Sequence, residues 1–179
     1  AMKPKVYQIT AQSKAFAYEA GLMGKFEKLL REFDLKRFIP ENELVPLKMH
    51  LGNTGAFKTI RPQFVKKVVD AVKRVPAMPF VTDSVRVPGY EYLEVAKEAG
   101  YTHLTLDAPV IMADGIFGND SIQVYAGETL GEMSVASAIH DAKSMVVLSH
   151  VKGHIQAVLG GAIKNISMGF ASRAQKQRM

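Results

Sequence analysis

Cysteine is absent from this chain of 179 residues. Its absence excludes disulfide bridges, thiolate catalysis, and any iron–sulfur cluster or cysteine-ligated zinc held by this chain alone. No apolar run approaches the roughly 20 residues of a membrane-spanning helix. No secretory leader opens the sequence, so the expected compartment is the cytoplasm, with no membrane partner. Phosphate-binding fingerprints are missing too. G-x-G-x-x-G does not occur, and Gly160-Gly161-Ala162-Ile163-Lys164 lacks the glycine-to-lysine spacing of a P-loop. Ser149 has no G-x-S-x-G elbow around it, which leaves no support for a serine nucleophile.

What is present is an ordinary globular composition, 47% apolar and 22% charged. A chain of this length buries roughly 70% of its unfolded surface, enough for a core without staples. Residues 3–179 read as a single domain, and Ala1 before Met2 reads as a cloning scar. The net charge is +6. Its carriers are scattered, with Arg61, Lys66, Lys67, Lys73 and Arg74 on one amphipathic helix and Arg173, Lys176 and Arg178 near the end of the sequence. No basic stretch is interleaved with aromatics, which argues for solvated basic faces and against a nucleic-acid partner.

Four apolar runs close on polar residues: Val45 to His50, Phe80 to Asp83, Val110 to Asp114, and Met145 to His150. Each has the length of a buried strand. Helical patterns lie between them. Phe16, Ala20, Met23, Phe26, Leu30 and Phe33 predict a helix over residues 14–34, Pro62 starts a second, and Gly100 stops a third over residues 91–99. Further helices are expected over residues 135–142 and from about Ile155 onward, with Ile155, Val158, Leu159, Ala162, Ile163 and Ile166 on one face. Short strands are expected over residues 5–10 and 122–126. This alternation predicts an α/β fold, a mainly parallel sheet flanked by helices.

In such sheets ligands sit at the carboxyl ends of the strands. Lys48, His50, Asp83, Asp114, His150, Lys152 and His154 would then converge on one crevice. His50, Asp83, Asp114 and His150 are the candidate catalytic groups, moving protons or orienting a substrate. Asp83 and Asp114 serve equally well as turn residues bonded to local backbone. Lys48, Lys152, Gly160, Gly161 and Lys164 are candidate ligand-binding residues, since glycines admit backbone N–H groups to an anion. Lys164 pointing to solvent is the plainer alternative. His150 and His154, four apart, are candidate ligands for a divalent metal, with His50, Asp83 or Asp114 as a third. Lys152 between them opposes a cation.

The motifs together resemble domain-of-unknown-function family 362. They are Leu47-Lys48-Met49-His50-Leu51-Gly52, Pro79-Phe80-Val81-Thr82-Asp83, Ala108-Pro109-Val110-Ile111-Met112-Ala113-Asp114-Gly115, Leu148-Ser149-His150-Val151-Lys152-Gly153-His154, Gly160-Gly161-Ala162-Ile163-Lys164-Asn165 and Met168-Gly169. The resemblance implies a redox-associated or metabolic protein that works beside a ferredoxin module. Many relatives continue into a segment binding two 4Fe–4S clusters, so such clusters would come from a continuation or a partner. The chain departs from the pattern at Ile155, where relatives carry Glu, at Val158-Leu159 before the double glycine, at Phe170, where a Cys is usual, and between Val85 and Tyr90. Three readings follow: binding of a small anionic molecule in the crevice, a histidine-ligated metalloprotein, or a docking scaffold for a ferredoxin.

Overall fold

The computed structural model describes residues 5–179. Its centre is a four-stranded sheet of β1 (Leu44–Met49), β2 (Met78–Asp83), β3 (Val110–Met112) and β6 (Val146–Leu148), in the order β3-β2-β1-β6. Every pairing in it is parallel. Two antiparallel hairpins stand apart from it. One joins β4 (Ser121–Tyr125) to β5 (Glu132–Ala136), the other β7 (Lys152–His154) to β8 (Val158–Gly160). The helices are α1 (Leu22–Glu32), α2 (Pro62–Lys73), α3 (Gly89–Glu98), α4 (His103–Leu106), α5 (Ser137–His140), α6 (Ala162–Phe170) and α7 (Arg173–Arg178). The α/β class and the parallel sheet expected from the sequence are present. Among the described residues no helix is long and apolar enough to cross a membrane.

β1 is buried from Val45 to Met49, as expected for a strand covered on both faces. Its alternation sends Val45, Leu47 and Met49 into the main core with Val65, Val68, Val69 and Val72 of α2, and turns Lys48 toward α6. Two prolines sit inside these central strands without breaking the ladder. The Met78 amide donates to the Glu43 carbonyl, so odd residues of β1 face β2 and Pro46 faces the other side. There β6 begins only opposite Leu47. Pro79 likewise faces β3, which begins only opposite Val81. Each proline lacks its N–H where no neighbour would accept it.

Four expectations are corrected. Residues 5–10 form no strand. The helix expected over residues 14–34 is a 3-10 turn at Tyr18–Ala20 followed by α1, and Phe16 is exposed. The extended Gly21 separates the two, and Gly24 lies so close to the turn that a Cβ there would be 2.3 Å from the Tyr18 carbonyl oxygen. Residues 135–142 are not one helix: Val135 pairs with Ile122 inside the β4–β5 hairpin, and α5 begins only at Ser137. The helix expected from about Ile155 starts only at Ala162. The residues before it form the β7–β8 hairpin, and Ile155 and Val158 are exposed. Short apolar runs satisfy strand and helix periods equally, and in both places the hairpin's backbone pairing decides.

Candidate functional site

The chain builds β1, β2 and β3 in one direction across the sheet and then returns to place β6 on the far side of β1. Adjacent carboxyl ends at such a reversal leave a crevice between the loops that diverge from them. A cavity of about 250 Å³ opens there. Its floor comes from the ends of β1, β2 and β6, its walls from residues 53–60, the β7–β8 hairpin, α6 and α7.

Lys48 and Asp83 form the buried centre. The Lys48 ammonium lies 2.9 Å from Asp83 Oδ1 and donates to Asn165 Oδ1 at 2.7 Å and to the Met49 carbonyl at 3.1 Å. All three of its protons are therefore used. Asp83 is satisfied just as fully. The Ser84 amide donates to Oδ1 at 2.9 Å, while the Leu51 amide and the Tyr92 hydroxyl donate to Oδ2 at 3.2 and 2.9 Å. His50 Nδ1 stands 3.5 Å from Oδ2. Burial alone would raise the Asp83 pKa, but the Lys48 charge and the His50 contact outweigh it and hold the carboxyl well below the usual range. Tyr92 is pushed far up by burial and by the Asp83 charge, so its hydroxyl stays a donor.

Asn165 ties α6 to the sheet. Its amide nitrogen donates to the Leu148 carbonyl and to Ser149 Oγ, both at 3.0 Å, while its oxygen receives Lys48. Gly169, one turn further on, lets the helix close over Lys48: a Cβ there would fall 2.1 Å from Lys48 Cε and Nζ. Both residues lie within the quoted motifs, yet neither is of a type that announces chemistry.

Of the residues expected at the site, Lys48, His50, Asp83, His150, Lys152, His154, Gly160, Gly161 and Lys164 all line this cavity. Asp114 does not. Fully buried behind it, Asp114 accepts the Val85 amide at 3.0 Å and the Arg173 amide at 2.8 Å, the local backbone role open to an Asp in a turn. Burial pushes its pKa up. The sequence reading missed Lys58, Arg86 and Lys176, which also line the cavity. The place of Lys176 between Arg173 and Arg178 predicts a solvated side chain. Instead α7 turns it inward, where it donates to Ser84 Oγ at 2.5 Å and to the carbonyls of Ser84 and Val85 at 3.1 and 3.3 Å. The basic face of α2 does match the solvated reading, with Lys66 paired to Asp70, Lys67 to Glu27 and Lys73 to Asp107.

Positive charge is crowded here. Burial lowers the pKa of Lys152, helped by Lys58, and that of Lys164, helped by Arg86 and Lys152. Burial also brings Lys176 down to about 8, against the opposing pull of Asp83 and Asp114. His154 is lowered by desolvation and then by Lys164, Lys152 and Arg86.

His154 also argues against a metal. It lies in β7, not on a helix with His150, and its Nδ1 accepts the Gln156 and Ala157 amides at 3.1 Å each. That leaves the proton of the neutral ring on Nε2, so ligation through Nε2 would force a tautomer change and forfeit both bonds. Among the described residues, no three His, Cys, Asp or Glu side chains are grouped to hold an ion. The donor set does not fit a histidine-ligated divalent metal.

The comparisons with known proteins bear on the same residues. No curated protein and no solved structure matches the chain. The profile of the family described as "Domain of unknown function (DUF362)" matches residues 45–179, which include β1 from Val45, the cavity and both helices that close it. The chain belongs to that family.

Proposed function

We propose that the chain binds a small ligand carrying at least two negative charges in the cavity at the strand carboxyl ends. One observation carries the reading. Lys58, Arg86, Lys152, Lys164 and Lys176 line a single cavity, and none of them forms an ion pair among the described residues. The sole carboxylate in the lining, Asp83, is already neutralised by Lys48. Cations that depress one another's pKa values repel, and an anion placed among them relieves that repulsion. Gly160 and Gly161, at the start of α6, also line this space and leave it open to a ligand. A redox role or a ferredoxin partner rests on the family resemblance, and the cavity itself supports neither.

Calorimetric titration with inorganic phosphate, pyrophosphate and citrate tests this. Pyrophosphate and citrate are expected to bind more tightly than phosphate, and binding should weaken as salt is raised. Lys164→Glu and Arg86→Glu should each weaken it by about 10–100-fold, the loss of one charge-assisted contact. Bound anion should raise the lysine pKa values, so binding at pH 8 takes up protons. Affinity should fall as pH rises through about 8, where Lys176 gives up its charge. Failure of all three anions to bind at millimolar concentration, or indifference to both charge reversals, would sink the reading.

A further inference from the structure

We propose that Lys176 is a nucleophilic amine that condenses with a carbonyl group on the anionic ligand, so that the ligands of this cavity are anionic aldehydes or ketones held as an imine. The inference rests on the anion-binding reading above. Its ground is the different situation of each lysine in the cavity. The Lys48 ammonium is fully buried and fixed as a cation by its ion pair with Asp83, whereas the three contacts of Lys176 are all to neutral oxygens, Ser84 Oγ and the Ser84 and Val85 carbonyls. Lys152 is held by the Lys58 carbonyl at 2.9 Å, and Lys58 lies over the Phe57 ring. Among the described residues the Lys164 amine makes no hydrogen bond to a hydroxyl, and Ser167 Oγ donates to its backbone carbonyl instead. Lys176 alone reaches the cavity with a hydroxyl in contact, Ser84 Oγ, which in turn donates to the Gly169 carbonyl at 2.9 Å.

The chemistry closes without a co-reactant. Neutral Lys176 attacks the carbonyl carbon, a proton passes from nitrogen to the new oxygen, and a carbinolamine results. Loss of water from it gives the imine, and hydrolysis returns amine and carbonyl. Ser84 Oγ is placed to carry the proton between nitrogen and the departing hydroxyl. The groups facing the amine are Asp83 and Asp114, which favour its charged form, and Lys48 and Arg86, which oppose it. Burial beside cations is the established means of making a lysine nucleophilic near neutral pH. The same cations would hold a carboxylate or phosphate next to the reacting carbonyl.

Pyridoxal 5′-phosphate, used as a generic anionic aldehyde, followed by borohydride reduction and peptide mass mapping, reads the amine directly. One reduced adduct per chain is expected, on Lys176, prevented by excess pyrophosphate and forming faster as pH rises through about 8. Lys176→Arg keeps a positive charge without the nucleophile and should remove the adduct. Ser84→Ala should keep it but slow its formation at least about 10-fold, the loss of a proton relay. Pyrophosphate binding is measured on the same protein. If pyrophosphate binds but the adduct falls on Lys164, scatters over surface lysines or persists in Lys176→Arg, this inference fails alone. If pyrophosphate does not bind and protects no adduct, the anion-binding reading fails with it.

Discussion

Asp83→Asn is expected to destabilise the protein by about 3–5 kcal/mol, the cost of leaving one partner of a buried ion pair behind. The substitution is nearly isosteric, so the loss is electrostatic and not a matter of space. Both oxygens of Asp83 face donors only: Lys48 and the Ser84 amide on one side, the Leu51 amide and Tyr92 on the other. An amide must turn its NH₂ toward one of those sets, so neither orientation satisfies the site. The Lys48 ammonium, wholly buried, then has no counter-charge. Against a typical total stability of about 5–15 kcal/mol, such a variant is near the edge of folding. Removing the stranded charge as well, in Lys48→Met with Asp83→Asn, should recover about 1–2 kcal/mol. Urea titration gives the answer as a shift of midpoint at unchanged slope. A loss below about 1 kcal/mol, or no recovery in the double variant, would contradict the buried-pair account.

The same pair sets an acid limit. Asp83 is held below its unfolded value, so the stability it contributes is fully present above a pH of about 4, where the unfolded carboxyl is also ionised. As pH falls below that, the unfolded chain takes up the proton first and this contribution is lost. The wild type should therefore lose stability on acidification more steeply than Asp83→Asn, which has no carboxyl to protonate.

How the site could be read from the sequence follows from how each residue acts. Lys48, His50, Asp83 and His150 were legible because an apolar run names its strand and the residue that ends it lies at a known edge of the sheet. Their convergence needed only that the strands be parallel neighbours, which the intervening helices implied. Arg86 and Lys58 were not legible, since each sits in a loop whose path no periodicity describes. Lys176 was hidden more deeply. In a run of basic residues its sequence environment is that of a solvated face, and contacts distant in sequence, the Arg173 amide on the Asp114 carboxylate and the Ser134 amide on Gln175 Oε1 among them, turn α7 so that it points inward. Asp114 fails in the opposite sense: its strand-end position is right, but two backbone amides claim its carboxylate. The hairpins were misread for a related reason. Ile155 and Leu159, and Val158 and Ala162, lie four apart, a spacing that a helix and a strand share, and cross-strand pairing is invisible along the chain.

Gly169→Ala should reverse the usual sign of its substitution. Alanine in place of glycine inside a helix ordinarily stabilises by up to about 1 kcal/mol. Gly169 lies within α6, so propensity alone predicts a gain. The added Cβ, however, would fall 2.1 Å from Lys48 Cε and Nζ and 3.6 Å from Asp83 Oδ1. A lysine end is commonly free to swing away, but this one is fixed by Asp83, Asn165 and the Met49 carbonyl, and moving it breaks the contacts that neutralise a buried charge. The net expectation is a loss of about 1–3 kcal/mol, typical of an overpacked core position. Gly153→Ala serves as the comparison, because a Cβ there meets nothing, and should change stability by less than about 0.5 kcal/mol. In a Lys48→Ala background the obstacle is gone, and Gly169→Ala should become neutral or stabilising by up to about 1 kcal/mol. Equal effects of Gly169→Ala in the two backgrounds would show that the glycine is there for some other reason. A sign change would establish that its missing side chain is the space in which Lys48 holds Asp83, and with it the floor of the cavity.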